Sequence, residues 1–319
     1  KASVQSLDDP FVTLNSCSQD PHILDCATPV VEKLLDSMTA SELMNEMEQK
    51  IPIACHRIGH IVGREVYAKY GNLETSMDNC VYGCGGACIH GIAGAAFLDK
   101  AGIRMEDPSD VHVDPDVIRE KGKELCARSA EMCHGIGHML FQIYNEFDTP
   151  LATCEEIGGN DIEQCYRGVF MEHADSISSH NVLLGDARKL VSDSTDILYP
   201  CDTLDNKYKH ACYRYQPRIQ DRIFETMGSS TAEERLPLRE AACDTLAIAE
   251  GRDGCFAGIG RYLLPFAGEH PKEAAAICER LPQPADRTAC SNALSISLVV
   301  FQYKRSAMSF CSDLEGVQR

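Results

Sequence analysis

Two pairs of histidines stand four residues apart, His56 with His60 in CHRIGH and His134 with His138 in CHGIGH. On a helix that spacing puts both imidazoles of a pair on one face. Eleven histidines scattered over 319 residues would give about 0.34 such pairs by chance. Both pairs also follow a cysteine directly, Cys55 and Cys133. Three further candidates lie in neighbouring segments: His90 in CIHG, and Glu172 with His173 in FMEH. Neutral imidazoles on facing helices suit first-row transition metals, so copper is the expected ion, with zinc as the alternative. One HxxxH pair plus one outside histidine makes a three-nitrogen site with an open position, the layout of a catalytic metal. The expected triads are His56/His60/His90 and His134/His138/His173, with Glu172 beside the second, forming a binuclear centre if the two segments pack side by side. As an enzyme the chain would be a copper-dependent oxidoreductase, the metal supplying Lewis acidity or electrons to dioxygen, peroxide or water.

Competing readings use the same residues. Two histidines from facing helices could ligate a noncovalent haem, whereas covalent attachment is excluded because no CxxCH occurs. A histidine on an apolar helix face is also, commonly, a hydrogen-bonded core residue. The segment DPSDVHVDPD collects Asp107, Asp110, His112, Asp114 and Asp116, but it lacks the calcium-loop spacing, and helix capping is the favoured reading. Tyr82 and Tyr144 lie near the candidate elements, where they could act as redox partners or support the ligands from behind, with core packing as the favoured role. No GxSxG, HExxH, phosphate-loop or GxGxxG motif is present, so hydrolase and nucleotide chemistry have no support. Both histidine pairs enclose glycine, at Gly59, Gly135 and Gly137, and each costs a helix interior about 1 kcal/mol relative to alanine. Either a second backbone approaches closely or a ligand fills the space.

The elements that must carry these residues are legible in the 17 cysteines. Cys55, Cys133, Cys212 and Cys290 follow one another at intervals of 78, 79 and 78 residues, and each opens a segment with helical spacing. Cys88, Cys165 and Cys255 form a second set, each with glycine three residues on. Most members of both sets have another cysteine 7 to 12 residues upstream, which predicts helical hairpins of about 40 residues with a disulfide closing each turn. The expected pairs are Cys80 with Cys88, Cys126 with Cys133, Cys154 with Cys165, Cys201 with Cys212, Cys243 with Cys255, and Cys278 with Cys290. Cys17 is expected to join Cys26, Cys55 is provisionally paired with Cys84, and Cys311 is left over. Thr39 with Glu42 and Ser230 with Glu233 read as capping boxes, and Pro115 after Asp114 reads as a helix start. Strand signals are scarce. The fold class is therefore all-α, disulfide-stapled αα-hairpin repeats in a solenoid or superhelical array, with a period of about 78 residues per pair of hairpins. Residues 1–28 form an N-terminal extension, 29–180 the two histidine-bearing repeats, and 181–319 histidine-poor repeats acting as scaffold.

Thirty basic side chains against 48 acidic ones give a net charge of −18. Such a surface repels phosphate backbones and anionic lipid and attracts cations or a basic protein or peptide. The longest apolar stretch, around Ala293–Phe301, is too short for a membrane span. Disulfides in this number persist in oxidising compartments, so the expected location is secreted, periplasmic or extracellular. The main alternative to a metalloprotein is a metal-free module whose stacked hairpins bind another protein.

Overall fold

The structure is a computed structural model that describes residues 9–300 apart from 19, 21, 53, 103–113, 180–195, 227, 229–230 and 265–269. Among the described residues every regular element is helical and no strand occurs. The chain divides into two compact units, one of Lys1–Val169 with Ser179–Leu184, the other of Phe170–Ser178 with Gly185–Arg319. The first unit holds α1 (Pro10–Cys17), α2 (Ile23–Leu35), α3 (Ala40–Lys50), α4 (Cys55–Tyr70) and α5 (Leu73–Asp78). A single 3-10 turn, Cys84–Gly86, then leads into α6 (Ala87–Ala101), α7 (Pro115–Cys126), α8 (Ala130–Tyr144) and α9 (Asp148–Ile157). Helix α10 (Ile162–Ser179) runs from the first unit into the second, which also contains α11 (Asn206–Thr226), α12 (Ala232–Asp244), α13 (Ala249–Tyr262), α14 (Pro271–Glu279) and α15 (Pro284–Val300).

Local chemistry accounts for the helix boundaries. Thr39 and Glu42 form the expected capping box at the start of α3, satisfying amide groups that have no partner inside the helix. Asp114 caps α7, with Pro115 in its first turn, and Ser129 accepts from the Met132 amide to open α8. Of the expected Ser230–Glu233 pair, Ser230 lies outside the described residues. The box that forms joins Thr231 to Glu234. Asp107, Asp110, His112 and Cys311 also fall outside the described residues.

Eight disulfides staple the helices: Cys17–Cys26, Cys55–Cys84, Cys80–Cys88, Cys126–Cys133, Cys154–Cys165, Cys201–Cys212, Cys243–Cys255 and Cys278–Cys290. These are the pairs the spacing predicts, including the provisional Cys55–Cys84. Five of them join consecutive helices across a turn, and a staple across so short a loop contributes about 2–3 kcal/mol.

Between the stapled helices the backbones touch. A Cβ placed on Gly63 of α4 would stand 2.0 Å from the Cys88 carbonyl oxygen of α6, and one on Gly91 of α6 would stand 2.0 Å from the His60 carbonyl oxygen of α4. Helices α8 and α10 meet in the same way, through Gly137 at the Cys165 carbonyl and Gly168 at the His134 carbonyl. The second unit contains the contact again, Gly260 of α13 against the Cys290 carbonyl of α15. Close backbone approach is thus what offsets the helix penalty at Gly137. At Gly59 the neighbours are instead the side chains of Ala87 and Met44. The apolar stripes of α4 and α8, with Ile58, Val62, Ile136 and Leu140 fully buried, fill the core beside these crossings.

Candidate metal centre

Three helices of the first unit bring five imidazoles together. Helix α4 carries His56 and His60, α6 carries His90, and α8 carries His134 and His138. The crossing at Gly91 presses α6 onto the His60 peptide, so the His60 and His90 rings lie 5.3 Å apart, centroid to centroid. On the other side, Gly135 lets α8 approach the backbone of α6, since a Cβ there would stand 3.1 Å from both Cα and O of His90. That approach places the His138 ring 5.7 Å from His90 and 5.0 Å from His60. His56 completes the group at 4.8 Å from His60 and 5.5 Å from His90.

One donor nitrogen each from His56, His60, His90 and His138 lies within 4.8 Å of all the others. A tetrahedral zinc–imidazole site, with bonds of about 2.0–2.1 Å, has nitrogens about 3.3 Å apart. His56 Nε2 and His60 Nε2 are already 3.2 Å apart. The widest spacing in the group, up to 4.8 Å, is longer than that. A histidine cluster able to hold a metal ion is therefore present; its donor set alone does not specify the metal.

The surroundings prepare the rings as ligands. His56 Nδ1 lies 2.6 Å from the Cys84 carbonyl oxygen. A carbonyl can only accept, so Nδ1 carries the proton and Nε2 keeps its lone pair toward the group. His90 Nε2 lies 2.7 Å from Oε2 of Glu131, whose other oxygen accepts from the Tyr82 hydroxyl at 3.0 Å. Desolvation, reinforced by positive charge on His56, His138, His90 and Arg57, holds the His60 pKa well below the ordinary 6.5. His60 is accordingly a neutral imidazole at neutral pH, the form in which the ring binds metal. His90 and His138 are buried, whereas His56 and His60 are only half-buried, so the group has a side nearer solvent.

The Cys84–Gly86 turn supports this arrangement. Cys84, Gly85 and Gly86 all adopt left-handed backbone, with φ of 50°, 68° and 79°, and the Cys84 amide donates to Glu48 Oε1 at 2.5 Å. Any Cβ at Gly86 would fall 2.7 Å from Glu131 Oε2 and 3.2 Å from His90 Nε2. Cys84 is bonded to Cys55 at the start of α4, and Cys80, just upstream, to Cys88 of α6, the helices that bear His56 and His90.

The donors do not sort into the two triads that the sequence suggests. His138 joins the first three histidines because Gly135 lets α8 reach α6. His134 packs its ring 4.7 Å from His90 and 4.8 Å from His138 but is not one of the four grouped donors. Glu172 and His173 lie on the part of α10 that belongs to the second unit. His173 is buried and its pKa is pushed down to about 3 by desolvation. Glu172 is half-buried. Two participants escape the sequence pattern, the Cys84 carbonyl and Glu131. The only available signal for Glu131 is that it precedes His134 by three residues, one helical turn on the same face.

Fold and site together define a disulfide-rich, all-helical protein with a four-imidazole cluster. No known family model, no curated protein and no solved structure matches the chain. None of the described helices is long and apolar enough to cross a membrane.

Proposed function

We propose that this chain is an extracytoplasmic metalloprotein that binds one transition-metal ion, copper or zinc, through His56, His60, His90 and His138. The observation that carries this reading is the convergence of four donor nitrogens from three helices within 4.8 Å. A cluster of imidazoles with no thiolate among its donors favours Cu2+ and Zn2+ over Mg2+ or Ca2+, which prefer oxygen. The expected cysteine partners are tied up in disulfides, and histidine is the ligand left in an oxidising compartment. Close ring-on-ring packing at 4.7–5.7 Å favours a bare ion over a haem, whose macrocycle needs a flat slot between axial rings. His134 serves as a neighbour that orients His90 and His138, and His173 as a buried structural histidine. The 78-residue spacing is best read as two stapled hairpins per period, with the second unit as scaffold. Redox catalysis is the enzymatic form of this function, with the half-buried His56 and His60 side as the approach for dioxygen or peroxide.

The test is metal analysis of protein purified without a histidine tag, before and after incubation with Zn2+ or Cu2+ and gel filtration. Wild type is expected to retain close to one equivalent, and His60→Ala and His138→Ala to lose it with their disulfides intact. Absence of stoichiometric metal in wild type after reloading, or full retention in both variants, would reject the proposal.

A further inference from the structure

The imidazole of His90 is held by a carboxylate. Glu131 projects from the first turn of α8 and places Oε2 2.7 Å from His90 Nε2. Its other oxygen, Oε1, accepts the Tyr82 hydroxyl at 3.0 Å. Tyr82 comes from the segment between Cys80 and Cys84, which two disulfides fasten to α4 and α6. The carboxylate is thus oriented by a group from outside its own helix. The space around it is also reserved: Gly86 has φ of 79°, and a Cβ there would enter both the carboxylate and the ring. A residue lying on the solvent-facing edge of α8 for solubility alone would need none of this.

We infer that Glu131 is the positioning residue of the metal centre: its carboxylate fixes His90 as the Nε2–H tautomer, so that Nδ1 presents its lone pair to His56, His60 and His138. The chemistry is that of tautomer selection. A neutral imidazole has one N–H and one lone pair, and an ionised carboxylate accepts hydrogen bonds without donating any. The proton therefore sits on Nε2, facing Glu131, and the basic nitrogen is the other one. The carboxylate also raises the electron density that the ring offers a cation, an effect that outer partners of metal-binding histidines commonly exert. His56 is fixed in the complementary sense, Nδ1 protonated toward the Cys84 carbonyl and Nε2 basic. On this inference His56 and His90 use opposite ring nitrogens as the basic one.

This inference rests on the metal-binding reading for its purpose but has a consequence of its own in the metal-free protein. Two measurements on wild type and Glu131→Gln separate the two. The first is long-range 1H–15N correlation of the histidine side chains without metal, with His90 assigned by its loss in His90→Gln. Wild type should show His90 as a single Nε2–H tautomer. In Glu131→Gln, whose amide can turn either its oxygen or its NH2 to the ring, the His90 signals should shift toward the Nδ1–H form. The second is a Zn2+ competition titration against a chromophoric chelator. Removing such a partner weakens metal affinity about 10–100-fold, so Glu131→Gln should bind at least about tenfold more weakly than wild type. Its thermal unfolding without metal should stay near that of wild type, because a folding defect would move both curves. A wild-type His90 in the Nδ1–H form, or an unchanged tautomer and unchanged affinity in Glu131→Gln, overturns the role of Glu131. If wild type fails to retain zinc while His90 shows the Nε2–H form and responds to Glu131→Gln, the positioning role stands and the metal assignment falls.

Discussion

Replacing Gly91 with alanine adds one methyl group to α6 at the place where its backbone touches α4. The new carbon would stand 2.0 Å from the His60 carbonyl oxygen and 2.8 Å from the carbonyl carbon. Carbon–oxygen contacts in proteins settle at about 3.3 Å, so the helices must part locally by about 1.3 Å. Overpacking of this kind typically destabilises by about 1–3 kcal/mol, and here a backbone rather than a flexible side chain must yield. The clash falls on His60 itself and next to His90. Metal–ligand distances tolerate about 0.2 Å, several times less than the displacement, and an apparent affinity loss of at least about tenfold follows, or about 1.4 kcal/mol. The assay pairs Zn2+ competition titration with thermal unfolding, both with disulfides intact. Gly260→Ala is the matched control: its Cβ would stand 2.1 Å from the Cys290 carbonyl oxygen, in the unit that supplies none of the four donors. It should melt earlier and bind metal normally. Wild-type affinity in Gly91→Ala, or an equal loss of affinity in Gly260→Ala, would refute the claim that the helix crossing sets the donor geometry.

Stability should depend on pH with a definite sign. His173 titrates at about 3 in the folded chain against an ordinary 6.5, so below about pH 6.5 the unfolded chain takes up a proton that the folded chain refuses. Stability present at neutral pH then falls as pH drops from 6.5 toward 3, by up to about 1.4 kcal/mol per unit for this group. His60 acts in the same direction. Denaturant midpoints measured between neutral pH and pH 4 check this, and His173→Gln should flatten the dependence. Free Zn2+ at 100 times its dissociation constant should raise the unfolding free energy by about 2.7 kcal/mol, an increase that His60→Ala abolishes in the same melt. Replacing Cys126 and Cys133 together by serine should cost about 2.5 kcal/mol, the loop-closure value for their separation of 7 residues; an unchanged denaturant midpoint would show that this staple does not constrain the unfolded chain.

How far the sequence discloses the site depends on the range of each interaction. Disulfide pairs such as Cys154–Cys165 and Cys243–Cys255 join residues 11 and 12 positions apart, so spacing alone selects the partner. The HxxxH pairs are equally local, and helical geometry puts His56 beside His60 without further information. What sequence spacing does not contain is the angle and height at which α6 and α8 meet. That depends on Gly135 accepting the His90 backbone, and it moves His138 from an expected second triad into the first group. Glu131 is invisible for a similar reason: its partners, His90 and Tyr82, are 41 and 49 residues away, and an acidic residue in a first helical turn already has an ordinary explanation in the helix dipole. The glycines gave the opposite lesson. Their helix penalty was readable as something requiring compensation, but whether a backbone or a ligand supplied it needed coordinates.

The staples have a bearing on how an ion would come and go. Eight cross-links and the backbone contacts hold the helices in place by means independent of any bound cation, unlike small domains that collapse when a chelator strips their zinc. On the metal-binding proposal, an ion would exchange within a folded framework and not by unfolding and refolding of the chain. If the proposed site is occupied, such a framework would survive empty and could be charged again, which would suit repeated delivery better than permanent structural reinforcement.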